Sequence, residues 1–130
     1  MDTFSTKEYA KQLRKDIRAA VAKGEGAFAG LPEGFKVRVV SSYDNISVGL
    51  EGVPSEWLWQ HGWNDFHGMF EWSYTPAALA VLRAIEAMRS AHKVSLNADD
   101  LGRDYHQCNY YGHTQWSVFI KRPENVVSGA

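Results

Sequence analysis

Asp104, His106 and Cys108 alternate along the chain, so on a strand their side chains leave from one face, where metal ligands can converge. His113 follows closely, and His61, Asp65 and His67 could approach from an earlier segment. Such a set could hold zinc, or pass a proton between imidazole and carboxylate. The spacings that make this chemistry specific are absent. There is no His-Glu-x-x-His and no paired Cys-x-x-Cys, the arrangements that put ligands on one helix face or one turn. Nucleophilic and phosphate-binding signatures fail as well, with no Gly-x-Ser-x-Gly elbow and no Lys-Ser/Thr closing the glycines at 24, 26, 30 and 34. The expectation is therefore a non-enzymatic chain with no catalytic residue, metal or cofactor. Whether His106, Cys108 and His113 form a site is left open.

A denser concentration of unusual residues is WLWQHGWNDFHGMFEWSY, Trp57 to Tyr74, which holds four of the five tryptophans and two of the five histidines. Its charged residues are Asp65 and Glu71, with no Lys or Arg. A loop of ordinary composition is rich in Gly, Ser, Asn and Asp, so these rings must cover something. Trp57, Trp59 and Trp63 are candidate anchors for a protein partner, because tryptophan dominates interface hot spots. Phe66, Phe70 and Trp72 are expected to roof the core instead, with Trp57 and Trp59 as a partly exposed pair.

The elements that must position these residues follow from periodicity. Ser5-Thr6-Lys7-Glu8 reads as a capping box, with Phe4 and Tyr9 as its hydrophobic staple. Tyr9, Leu13, Ile17, Ala20 and Val21 recur at helical spacing until Gly24 and Gly26 end the helix. Beside that stripe, Lys7, Lys11, Arg14, Lys15 and Arg18 form a positive ridge, a candidate for steering an acidic partner or for contacting phosphates. The period then shortens to two. Phe35, Val37 and Val39 alternate with Lys36 and Arg38, and Ile46, Val48 and Leu50 resume after turn residues 41–45, predicting a hairpin. Gly49 and Gly52 leave room for a close approach to its second strand.

Pro54 leads into the aromatic segment, and Thr75-Pro76 starts a second helix running towards His92. On it Leu79, Leu82, Ile85 and Met88 are expected inward, with Arg83, Glu86, Arg89 and Lys93 outside. Asn97 to Asp100 and Gly102 read as a loop. Asp104 to about Val118 favours strand, with a bend or bulge at Gly112-His113. The order predicts a two-layer α+β fold: N-terminal helix, β-hairpin, aromatic-rich segment, second helix and C-terminal strand pair. Residues 1–122 are expected to form one domain and 123–130 a loose tail.

Composition limits the function classes. A chain of 130 residues with 22% charged and 45% hydrophobic residues is long enough for its own core and is not a disordered tract. Residues 1–40 carry eight Lys/Arg against five Asp/Glu, and residues 41–100 carry three against eight. A chain so polarised is neither a general nucleic-acid coat nor a uniform acidic mimic. One cysteine, Cys108, cannot close an intrachain disulfide, which favours a reducing compartment. The longest apolar run, Ala77 to Leu82, is too short to cross a bilayer. With no leader-like run near Met1, a cytoplasmic protein without a membrane partner is expected.

FSTKEYAKQLRKDIR followed by KVRVVSSYDNISVGL resembles the opening of a large polyvalent protein-associated domain. Phe66-x-Gly68-Met69-x-Glu71-Trp72 is similar to the acidic-aromatic motif of that family, and Asp104-Tyr105 with Asn109 and Tyr111 to a Tyr/Phe-rich segment of related mobile-element proteins. The resemblance implies an α+β fold and a phage or mobile-element origin, and it carries no activity. The chain departs from the pattern in a longer glycine-containing insertion after the basic helix and in the tryptophan cluster at 57–63.

The reading that results is an accessory protein of a phage or mobile element. It would bind a host protein or nucleoprotein complex through Trp57, Trp59 and Trp63, steered by Lys7, Lys11, Arg14 and Arg18. Inhibition of a host-defence factor, as by an anti-CRISPR or anti-restriction protein, is its most concrete form. The alternative is a nucleic-acid-binding protein using the basic helix, and the third reading is a metal-dependent enzyme.

Overall fold

A computed structural model describes residues 6–91 and 110–123. Helix α1 spans Thr6–Lys23, strands β1 and β2 span Lys36–Ser42 and Asn45–Glu51, and a short helix α2 spans Ser55–Leu58. Strands β3 and β4 follow at Trp59–Asn64 and Met69–Tyr74, then helix α3 at Pro76–Arg89 and strand β5 at Thr114–Trp116. The fold is α+β, with an N-terminal helix, two sheets and a second long helix. No helix among the described residues is long and apolar enough to cross a membrane.

The first helix buries Ala10, Leu13 and Ile17, with Tyr9 and Val21 packed beside them. It stops where Gly24 turns left-handed at φ 66° and its N–H reaches the Ala20 carbonyl, a conformation that costs glycine least. Ser5 of the capping box lies outside the described residues. Thr6 donates its hydroxyl to the Tyr43 carbonyl at 2.8 Å, tying the helix start to the β1–β2 turn.

β1 and β2 pair antiparallel with Val39 opposite Val48. Val39, Ile46, Val48 and Leu50 point into the core, while Lys36, Arg38 and Val40 are exposed. One face buried and one wet is the usual arrangement of an antiparallel sheet. β5 adds to the far side of β2 in parallel, giving the order β1-β2-β5. Helix α1 packs on β1 and α3 on β2 and β5, so the sheet and two helices make the two layers. Leu50, Leu58, Val81, Ile85 and Trp116 lie at the centre of the core.

Thr75 caps α3, its hydroxyl oxygen accepting from the Ala78 N–H at 3.2 Å with Pro76 in the first turn. The buried face differs from the expected one. Ala78, Val81, Ile85 and Arg89 are buried, Leu82 and Met88 pack beside them, and Leu79 is only half-buried. The helix is rotated so that small Ala78 admits the Trp116 indole, whose N–H donates to the Ala78 carbonyl at 3.1 Å. Arg89, expected outside, is 3% exposed. Its guanidinium forks onto both Glu86 oxygens at 2.8 and 2.7 Å and reaches the Ile46 carbonyl at 3.3 Å. A charge is tolerated there because it is paired and bonded.

Of the expected C-terminal strand pair, Thr114–Trp116 is a strand and Tyr111 forms an isolated parallel bridge to Asn45. Asp104 to Asn109, the 97–102 loop, Lys93 and the tail from residue 124 lie outside the described residues. Gly112 supplies the bend between bridge and strand at φ 122°, and a methyl group built there would overlap the Ile46 carbonyl. Gly112→Ala is therefore expected to cost about 2–3 kcal/mol from backbone strain alone. That corresponds to a fall in Tm on the order of 10 °C. An unchanged melting curve would show that the β2–β5 junction contributes little.

Candidate functional site

The aromatic segment folds as a second hairpin, separate from the main sheet. Its turn is written locally. The Asn64 side-chain oxygen accepts from the N–H groups of Phe66 and His67 at 2.8 and 3.2 Å, and the Gly68 N–H closes on the Asn64 carbonyl at 2.7 Å. An asparagine bonding its own downstream backbone is a recurrent turn device. The register then places Trp59 opposite Tyr74, His61 opposite Trp72 and Trp63 opposite Phe70.

Because strand side chains alternate, those three pairs share one face. Gln60/Ser73, Gly62/Glu71 and Asn64/Met69 take the other. One side of the ribbon is thus a ladder of six rings. Centroids lie 4.9 Å apart for Trp59–Tyr74 and for His61–Trp72, and 5.2 Å for Trp63–Phe70. His61 also stacks diagonally on Phe70 at 5.9 Å. Cross-strand aromatic pairs of this kind stabilise a hairpin that, among the described residues, stands as two strands.

The ladder is sealed at its base and open at its tip. Trp59 and Tyr74 pack against the core, and the Trp59 indole N–H donates to the Ile120 carbonyl at 2.9 Å. Thr75 donates its hydroxyl to the Trp57 carbonyl at 2.8 Å and its N–H to the Leu58 carbonyl, clamping the point where the ribbon leaves the body. Towards the turn Trp63 is 56% exposed, Phe70 59% and Phe66 91%, with Met69 also open. The Trp63 indole N–H is held by Asp65 at 2.6 Å, which fixes the ring without covering it. On the polar face Glu71 receives Asn64 at 2.6 Å and pairs with His67 at 2.9 Å. The bond from His67 first, and that from Asn64 second, hold the Glu71 carboxyl below its usual range.

These positions correct part of the sequence reading. Phe66 and Phe70 do not roof the core, and Trp72 is half-buried against His61 rather than sealed. Trp57 and Trp59 are both half-buried, as expected of a partly exposed pair, but they belong to different elements. Trp57 belongs to α2, with its ring edge-on to Trp116 at 5.6 Å, and Trp59 opens β3. Of the three candidate anchors only Trp63 is mainly exposed. Its cross-strand partner Phe70, and His61 stacked on that ring, were legible as a two-residue alternation of rings on each side of Asn-Asp-Phe-His-Gly.

The basic ridge is where the sequence put it, with Lys7, Lys11, Arg14, Lys15 and Arg18 all exposed. It belongs to a different part of the molecule, since α1 packs on β1, β2 and α3 while the ribbon rests on α2 and α3. No cluster of three His, Cys, Asp or Glu side chains suited to a metal occurs among the described residues. His61 is stacked among rings, His67 pairs with Glu71, and the His113 ring meets the Gln115 side chain at 3.0 Å. Asp104, His106 and Cys108 lie outside the described residues.

No family model, curated protein or solved structure matches the chain. The likeness to polyvalent protein-associated domains rests on the quoted motifs alone.

Proposed function

We propose that this chain is a non-enzymatic protein-binding module whose contact surface is the aromatic tip of the β3–β4 ribbon. The observation that carries this reading is the exposure of Trp63 and Phe70 on one face of the hairpin, with Phe66 open at its turn. Clustered large apolar side chains in water mark interaction sites, and a pre-ordered ring loses little entropy on docking. The ribbon carries Asp65 and Glu71 and no Lys or Arg, so its partner presents apolar surface edged with Arg or Lys, which rings and carboxylates both attract. The sequence resemblance supports a phage or mobile-element setting. There the module would sit in the host cytoplasm and occlude a host protein or nucleoprotein complex, a defence component being the natural target.

Affinity capture from host extract tests this with wild type beside a Trp63→Ala/Phe70→Ala variant. Two hot-spot rings removed together are expected to weaken capture by about 100-fold or more. Both rings are more than half exposed, so Tm should move by only about 2–3 °C, as for other surface changes. Equal capture by both proteins would remove the ribbon from recognition. Capture that instead vanished on charge reversal at Arg14 and Arg18, and fell steeply with salt, would favour the nucleic-acid reading.

A further inference from the structure

Among the described residues the outer edge of β1 carries no further strand, and its pattern can be read from β2. Ile46 and Val48 donate their N–H groups to the Tyr111 and His113 carbonyls, and the Leu50 carbonyl accepts from Ser117. The even-numbered residues of β2 therefore face β5, and the odd ones face β1. With the observed register, the hydrogen-bonded pairs across the hairpin are Ser42–Asn45, Val40–Ser47, Arg38–Gly49 and Lys36–Glu51. Val37, Val39 and Ser41 are left with their backbone groups pointing away from the sheet. Among the described residues one bond meets them, from Arg14 Nη2 to the Val39 carbonyl at 2.9 Å.

Beside that edge, between α1 and β1, lies an open groove of about 570 Å³ floored by Ile17, Val21, Phe35 and Val37. Arg14, Arg18 and Arg38 rim it. A smaller hollow of about 420 Å³ continues past Arg14 along Ser41 and Ser42 to Tyr43, with Lys7 at its margin. Edge, groove and cations thus run together for the length of a seven-residue strand, about 20 Å at the usual rise.

We infer that this edge accepts an extended acidic segment of another protein as an added strand. Its backbone would pair with Val37, Val39 and Ser41, its apolar side chains would enter the groove between the stems of Arg14 and Arg18, and its carboxylates, on the other face, would meet Lys36 and Arg38. Strand addition draws affinity from the main chain and specificity from alternate side chains, and both halves of that recognition are present here. Charge selects the occupant. A second copy pairing antiparallel about Val37 would set Lys36 against Arg38 twice over, the kind of like-charge opposition edge strands use to refuse self-association. An acidic strand turns the same residues into attractions. The competing contacts are weak: Arg38 reaches Glu51 at 3.7 Å with both side chains largely in water, and an exposed pair of that length contributes little. Arg14 is exposed as well, so it can swing into water and release the Val39 carbonyl to an amide of the added strand.

Fluorescence anisotropy with a labelled, end-capped peptide of alternating Val and Glu tests the inference. The peptide should bind, and its counterpart with Lys in place of Glu should not. Alternate amides of an added strand face β1 and solvent in turn. N-methylation of one alternate set should therefore weaken binding by about tenfold or more, the scale of a lost hydrogen bond or two, while methylation of the other set changes little. Arg18→Glu/Arg38→Glu should weaken binding by at least as much. Val37→Pro should do so without unfolding the chain, because that N–H is outside the β1–β2 ladder. The Trp63→Ala/Phe70→Ala variant should bind the peptide as wild type does, which keeps this surface separable from the ribbon. Failure of the parent peptide to bind, or equal binding of both N-methylated forms, would overturn the inference. So would a dimer abolished by Val37→Pro in sedimentation, or a single-stranded oligonucleotide that outcompetes the peptide and ignores that substitution.

Discussion

Trp116→Ala is expected to lower stability by about 3–5 kcal/mol, the range for truncating a large buried aromatic. Domains of this size have about 5–15 kcal/mol in total, so the variant should populate unfolded chain at physiological temperature. The cost is high because one side chain serves several elements. Trp116 is 2% exposed, stands on the three-residue strand β5, and meets Trp57 at 5.6 Å and Phe35 at 6.0 Å edge-on. Its indole N–H also satisfies the Ala78 carbonyl on α3. Removal opens a cavity among α2, α3 and the β1 approach and takes the indole's hydrogen bond away from the Ala78 carbonyl. Trp116→Phe separates these contributions, keeping most of the volume while losing the bond, for about 1–2 kcal/mol. Urea denaturation followed by far-UV circular dichroism reads both values. Midpoints equal to wild type would mean that β5 is peripheral to the core.

The second large effect is expected at the Glu86–Arg89 pair, and it depends on pH. The Arg89 fork is the main cause that brings the Glu86 carboxyl down to about 2, with Thr114 at 2.7 Å and Ser90 at 3.0 Å assisting and desolvation opposing. A carboxyl whose folded pKa lies below its unfolded value of 4.5 contributes stability above that unfolded value. The contribution is lost as pH falls from about 4.5 towards about 2. Glu86 is 40% exposed, so solvent screening limits the gain to about 1–2 kcal/mol. Glu86→Gln should therefore be less stable than wild type by that amount at pH 7, and the two should converge near pH 2–3. Arg89→Ala should cost more, about 3 kcal/mol, because it also empties a buried site and frees the Ile46 carbonyl. Thermal melts of the three proteins at pH 7 and pH 3 measure the gap. A gap that stays constant with pH would deny the ion pair its role.

The two substitutions sit where local pattern and tertiary placement part company. Arg89 reads as solvent-facing because arginine is rarely buried. Its ion partner Glu86 stands one turn earlier on α3. Only the approach of β2 and β5 adds the Ile46 carbonyl to Arg89 and the Thr114 hydroxyl to Glu86, and so closes the site around the pair. Likewise Leu79 and Ala78 are neighbours on a helix with apolar residues on several sides, and helical spacing alone does not choose between them. The choice falls to Trp116, a residue 38 positions away from Ala78.

The ribbon divides in the same way. The alternation Trp59, His61, Trp63 and Phe70, Trp72, Tyr74 about Asn-Asp-Phe-His-Gly is a hairpin pattern held within sixteen residues, so its rings were bound to share a face. Whether that face would be roof or prow was decided elsewhere. The main sheet already has its inner face filled by α1 and α3, and the ribbon, joined to the body at Thr75 and Trp59, extends its outer half past them.

By itself the sequence determined the amphipathic helix and its basic ridge, the β1–β2 hairpin, the Thr75 cap and the composition of the aromatic stretch. Each depends on residues a few positions apart, where backbone period and hydrogen-bonding reach act directly. Tertiary structure alone decided which ring stayed in water, which arginine went inside and which strand kept an open edge. Those outcomes depend on what remains uncovered after distant segments have claimed the shared core, and no local spacing encodes that.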